Sequence, residues 1–178
     1  VFALLGITSR VELTQFELAP DISGGVLRSR LARAGLAELF RDTPEELRRQ
    51  ALTHSSWTDR RSDAYGRLAF LGDSVLGLVV ASELFTEHPD ADIGELTKIL
   101  NQAVSGRACA EVARALGLPD LLRAQAPEGG TGLPVETLLG SERTMASVCE
   151  AVIGACYLVH GYAATATAVT EAFAEEVE

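Results

Sequence analysis

The sequence predicts an all-helical domain, and three observations carry that expectation. Apolar residues recur at helical spacing along most of the chain, several segments open on helix-capping residues, and no stretch alternates apolar and polar side chains at the strand period. A chain of 178 residues, 47% of them apolar, is also long enough to enclose one core without disulfides or a structural metal.

Residues 1 to 24 are mixed in character, and Pro20, Asp21, Gly24 and Gly25 mark a break, so an N-terminal arm over 1–24 precedes a helical domain over 25–178. From Val26 to Phe40 the residues Leu27, Leu31, Leu36, Leu39 and Phe40 recur at helical spacing, with arginines on the wet face. Thr43-Pro44-Glu45-Glu46 reads as a capping box: Thr43 caps, Pro44 loses no hydrogen bond at the first position, and Glu46 closes the box. The helix it opens runs into Ala51-Leu52-Thr53-His54-Ser55-Ser56, where His54 reads as a hydrogen-bonded structural histidine rather than an acid or base.

Residues 57–66 are polar and turn-like. A long helix follows from about Gly66 to Glu87, with Leu68, Leu71, Val75, Leu78, Val79 and Leu84 forming a broad apolar surface until His88-Pro89-Asp90 stops it. Asp92, with Glu95 three residues on, caps the next segment, and Ile93 to Leu116 is one bent helix or two around Gly106. The glycines and prolines of 125–135 form a loop. A last pair of helices covers about Glu142 to Leu158 and Ala163 to Glu176.

Charge is distributed unevenly. Residues 1–60 hold eight basic and eight acidic side chains, and 61–178 hold seven and seventeen, so the net charge of −10 arises in the second part. Lys98 is the one lysine. Such a surface repels phosphate backbones at long range, although Arg28, Arg30, Arg33, Arg41, Arg48 and Arg49 are candidates for a local basic patch. Cys109, Cys149 and Cys156 form no C-x-x-C pair and read as small buried side chains in a reducing compartment. Cys149, Cys156 and His160 share a helical spacing, but no fourth ligand completes a structural zinc site. With no unbroken apolar run of membrane-spanning length and no secretion signal, the expectation is a cytoplasmic protein with no membrane partner.

The stretch Arg67-Leu68-Ala69-Phe70-Leu71-Gly72-Asp73-Ser74 resembles the signature helix of the ribonuclease III family, Glu-Arg-Leu-Glu-Phe-Leu-Gly-Asp-Ser. Two further elements agree in order: Ala51 to Ser56 resembles the family's Ala-Leu-Thr-His-Arg-Ser, and Glu150-Ala151-Val152-Ile153-Gly154-Ala155 resembles its Glu-Ala-Leu-Ile-Gly-Ala. Glu95-Leu96-Thr97 and Leu116-Gly117-Leu118 resemble lesser landmarks of the same family. The resemblance implies an all-α ribonuclease III-like endonuclease fold, a two-fold homodimer with Phe70 near the subunit contact, and an inter-subunit cleft carrying carboxylates that hold magnesium or manganese.

Here the resemblance breaks. The family's two signature glutamates are replaced by Gly66 and Ala69, and of the four carboxylate positions one helical turn apart, 69, 73, 147 and 150, this chain retains Asp73 and Glu150 and carries Ala69 and Ser147 at the others. Hard divalent cations take oxygen ligands, and phosphodiester hydrolysis gains from metals that activate water and stabilise developing charge. Asp73 and Glu150 are thus the candidate catalytic and metal-binding residues if activity survives, with Mg2+ or Mn2+ as the conditional cofactor and no cofactor certain. A second role for Asp73 is a bond to backbone or to Arg67. Asp63 is a candidate displaced acid, whereas Glu142 is turned off the face of Ser147.

No double-stranded RNA-binding domain follows the resembling segment, which together with the acidity disfavours stable double-stranded RNA binding. The expected function is a non-nucleolytic homodimeric scaffold or regulator. Two alternatives stand beside it: a magnesium-dependent endoribonuclease on double-stranded or structured RNA, and an enzyme that binds a small molecule in the inter-subunit cleft through Asp73, Glu150, Ser147 and His160.

Overall fold

Two long helices lying against each other organise the chain, and the shorter ones pack around them. The computed structural model describes residues 35–129 and 132–174. Its elements are α1 (Leu36–Arg41), α2 (Glu45–Ala51), two single 3-10 turns (Ser55–Trp57 and Arg61–Asp63), α3 (Gly66–Glu87), α4 (Ile93–Ala103), α5 (Gly106–Ala115), α6 (Leu118–Gln125), α7 (Val135–Leu139) and α8 (Glu142–Ala172). Among the described residues there is no strand, and the architecture is all-α as expected.

Helix α8 is the central element, in contact with α3 above all, then α5 and α1. Val148, Cys149, Val152, Ile153 and Cys156 on α8 are fully buried, as are Leu76 on α3 and Cys109, Ala110 and Ala113 on α5. Each large aliphatic side chain removed from water in this way contributes about 1.5–3 kcal/mol. By length and composition alone α3 and α8 would also suit a membrane, with mean hydropathy of 1.7 and 1.4 over their most apolar windows. In this fold their apolar faces pack on each other and on the shorter helices.

Most predicted boundaries are reproduced, and the departures have local causes. The N-terminal arm and residues 26–34 of the first predicted helix lie outside the described residues. Gly35 has an extended ψ of 162°, so α1 begins at Leu36. The capping box expected at Thr43 does not form. Thr43 is buried, its hydroxyl donates to the Phe40 carbonyl at 2.7 Å, and Pro44 occupies the cap position without a side-chain bond. The Phe40 carbonyl at the end of α1 thus accepts from both the amide and the hydroxyl of Thr43, which leaves that hydroxyl turned back toward α1 and away from the start of α2.

At Asp92 the predicted box is complete, the carboxylate accepting from Gly94 and Glu95 amides while Glu95 accepts from the Asp92 amide. The segment after Ile93 divides into two helices, α5 being restarted by Ser105, whose hydroxyl accepts from the Ala108 amide. The short helices α6 and α7 have too few residues to show periodicity and were not anticipated. The final pair of helices is one run broken at Gly161, whose φ of 74° is rarely adopted by residues with a Cβ. The predicted end at Glu176 falls beyond the described residues.

Candidate functional site

The site is built where α3 crosses α8, and glycine determines how closely they cross. A Cβ at Gly72 would collide with the Glu150 carbonyl oxygen and lie 2.7 Å from its carbon and 2.8 Å from the Gly154 nitrogen. A Cβ at Gly154 would collide in turn with the Leu68 carbonyl oxygen and lie 3.1 Å from the Gly72 nitrogen. The two backbones are therefore in contact with no side chain between them. Asp73 follows the first glycine, and Glu150 supplies the carbonyl that it touches, so the crossing brings these two carboxylates together.

Their surroundings differ. Asp73 is exposed and, among the described residues, has no side-chain hydrogen bond or ion pair, so the expected bond to backbone or Arg67 is not made. Glu150 is half-buried, and its carboxyl is pushed up to about 7, by burial first and then by the Asp73 carboxylate facing it. Near neutral pH this pair therefore carries less than two negative charges. Tyr65, just before α3, closes the neighbourhood: burial raises its phenol, the Thr144 hydroxyl and the Arg143 guanidinium pull the other way, and Glu150 adds to the rise. Neither Tyr65 nor Arg143 was singled out from sequence, since the proximity depends on the approach of the 60s turn to the first turn of α8.

The replaced positions all lie among the described residues. Ala69 is buried on α3, Ser147 is partly buried on α8, and Gly66 is exposed at the first turn of α3 with open space where a Cβ would stand. Steric exclusion therefore does not account for the missing acid at 66. Among the described residues no group of three or more histidine, cysteine, aspartate or glutamate side chains is gathered as a metal site would require. A hard cation takes six or more oxygens. Two carboxylates, one of them protonated at neutral pH much of the time, and a neutral hydroxyl do not fit the four-carboxylate metal cluster implied by the resemblance.

Other candidates are placed elsewhere. Asp63 is exposed, accepts from the Ser62 hydroxyl at 3.0 Å and lies 3.9 Å from Arg60, so it does not swing toward Ala69. His160 is engaged with the Leu39 carbonyl at 2.9 Å and ties α8 to α1, which removes it from the set of polar groups expected in the cleft. His54 is structural: its Nδ1 accepts from the Ser56 amide at 3.0 Å, its ring meets Trp57 and Tyr65 edge-on, and burial lowers its pKa. The three cysteines are buried free thiols; burial raises Cys149 strongly and pushes Cys156 up to about 12. Phe70 lies on the outer face of α3 and is 79% exposed, with Leu78 and Phe85 also exposed along that helix.

A ribonuclease-III-like family model matches residues 44–177. The chain belongs to the ribonuclease III-like family. It is 41% identical over 129 residues to Ribonuclease 3 of Rhodopseudomonas palustris, covering 71% of this chain and 46% of that protein. It is 38% identical over 155 residues to Ribonuclease 3 of Methylocella silvestris, covering 87% and 60%. The chain thus spans about half the length of such relatives. Its fold is similar to two structures of the ribonuclease III nuclease domain from Campylobacter jejuni, with TM-scores of 0.64 and 0.62 and identities of 27% and 28%; both cover 79% of this chain, and 95% and 92% of theirs. The ribonuclease III fold is therefore retained around a carboxylate set that the resemblance would double.

Proposed function

We propose that this chain is a non-nucleolytic ribonuclease III-like domain that works as a two-fold homodimeric scaffold or regulator in the cytoplasm, within RNA processing. The observation that carries the reading is the α3–α8 crossing, where Asp73 faces a Glu150 raised to about 7 while Ala69 and Ser147 occupy the other two positions. Two carboxylates with no further acid beside them supply few of the oxygens that a hard cation takes. The exposed row Phe70, Leu78 and Phe85 supports the dimer, since aromatic side chains this open to water favour a covering partner. One of the Campylobacter jejuni structures is described for flexibility in a region involved in dimer formation.

The deciding experiment is cleavage of long double-stranded RNA by the purified protein in magnesium and in manganese, with Glu150→Ala run beside it. No cleavage at high enzyme concentration is the expected result. Cleavage that disappears in Glu150→Ala would overturn the scaffold reading in favour of a reduced-site nuclease, the activity that the names of the relatives suggest.

A further inference from the structure

A cleft of about 800 Å³ is bounded by α2, the turns of residues 57–63, the start of α3 and the end of α6. Arg49, Arg60 and Arg67 line it together with Trp57. The sequence suggested a basic patch among Arg28, Arg30, Arg33, Arg41, Arg48 and Arg49; the first three lie outside the described residues, and of the others Arg49 lines this cleft, with companions from later in the chain.

Three arginines elsewhere are engaged by the protein itself: Arg123 bridges Asp120 and Glu136, Arg107 pairs with Glu111, and Arg48 donates to the Arg41 carbonyl. By contrast, the side chains of Arg49 and Arg67 have no hydrogen bond or ion pair among the described residues, and Arg60 reaches Asp63 only at 3.9 Å. Glu46 and Asp63 also line the cleft, so its charge is one positive in a chain of net −10.

The walls are fixed before any ligand arrives. Gln50 donates to the Ser62 carbonyl at 2.9 Å, the Thr53 hydroxyl to the Arg49 carbonyl at 2.7 Å, and the Trp57 indole to the Leu133 carbonyl at 2.9 Å. A prearranged polar cleft loses little conformational entropy on binding.

From this placement we propose that the cleft binds a phosphate monoester of mononucleotide size, held by the guanidinium groups of Arg49 and Arg67 with Arg60 at the rim. Planar guanidinium matches phosphate oxygens in pairs, and its charge-assisted bonds are the strong ones. The volume lies in the range of small-molecule sites. The same group is found on a free nucleotide and at the 5′ end of an RNA chain.

Trp57 is the only tryptophan, so intrinsic fluorescence of the whole chain reports directly on this cleft. The titrants are inorganic phosphate, adenosine 5′-monophosphate, adenosine, and a short RNA with and without a 5′-phosphate, all at matched ionic strength. Saturable changes with phosphate and the monophosphate, none with adenosine, and binding weakened roughly tenfold or more in Arg49→Ala and in Arg67→Ala are expected. Tighter binding of the phosphorylated RNA than of the free nucleotide supports the site with an RNA end as its source. The reverse order supports it with a free nucleotide. No saturable change, an equal change with chloride, or an undiminished change in the variants overturns the proposal. Should Arg67→Ala lose its helical circular dichroism, Arg49→Ala and Arg49→Lys read the same cleft from the exposed face of α2, and full binding in Arg49→Ala overturns it.

Discussion

Gly72 rests directly on the backbone carbonyl of Glu150, with room for no more than a hydrogen on its α-carbon. This contact positions the site, since the distance between α3 and α8, and with it the approach of Asp73 to Glu150, depends on an absent side chain. Gly72→Ala is expected to destabilise the domain by about 3 kcal/mol or more, because the obstructing atoms are backbone and cannot rotate away. Urea unfolding of the two proteins measures it, and a loss below about 1 kcal/mol would show that the helices separate easily.

The pH dependence of stability follows from Glu150. Its carboxyl titrates at about 7 in the folded protein against 4.5 ordinarily, so between those values the folded state holds a proton that the unfolded state has released. Stability from this group is complete below 4.5 and is lost as pH rises toward 7 and beyond. The group is half-buried, so solvent screening reduces the effect to roughly 1–2 kcal/mol. Glu150→Gln is expected to remove that loss, giving a protein more stable than the natural one at pH 8. Urea midpoints across the pH range test this, and parallel profiles would refute it.

Restoring the acids tests what their absence does. The double variant Ala69→Glu and Ser147→Asp is expected to bind Mn2+ at least about tenfold more tightly than the natural chain, as added oxygen ligands complete the coordination shell. Free Mn2+ measured by electron paramagnetic resonance decides it. Equal affinities would show that the crossing does not direct the four positions toward one point.

Assembly and folding separate at Phe70. The side chain is 79% exposed, so Phe70→Asp leaves the protomer's core untouched, with an expected stability change within about 0.5 kcal/mol. Sedimentation is expected to show the natural chain as a dimer and Phe70→Asp as a monomer. A natural chain that sediments as a monomer removes the dimer from the proposed function.

Where a sequence signal is local, it was legible. Asp92 and Glu95 satisfy amides within one turn, so their capping box formed as read. Thr43 carries the same signature, but the buried end of α1 offered its hydroxyl a different partner. The long helices α3 and α8 announced themselves through periodicity and through motifs in the right order, whereas α6 and α7 were too short for either. The retained and replaced acids at 69, 73, 147 and 150 could be named from alignment with the family pattern alone.

The sequence by itself determined the helical class, the family resemblance and the depleted carboxylate set, because these depend on residue types at fixed spacings along the chain. Only the tertiary structure decided that Gly72 and Gly154 close the crossing, that His160 is held by Leu39, that Glu150 keeps its proton toward neutrality, and that Arg49, Arg60 and Arg67 meet around Trp57. Each of those depends on which segments remote in sequence come into contact, and burial and electrostatic coupling are properties of that contact rather than of the residues taken one at a time.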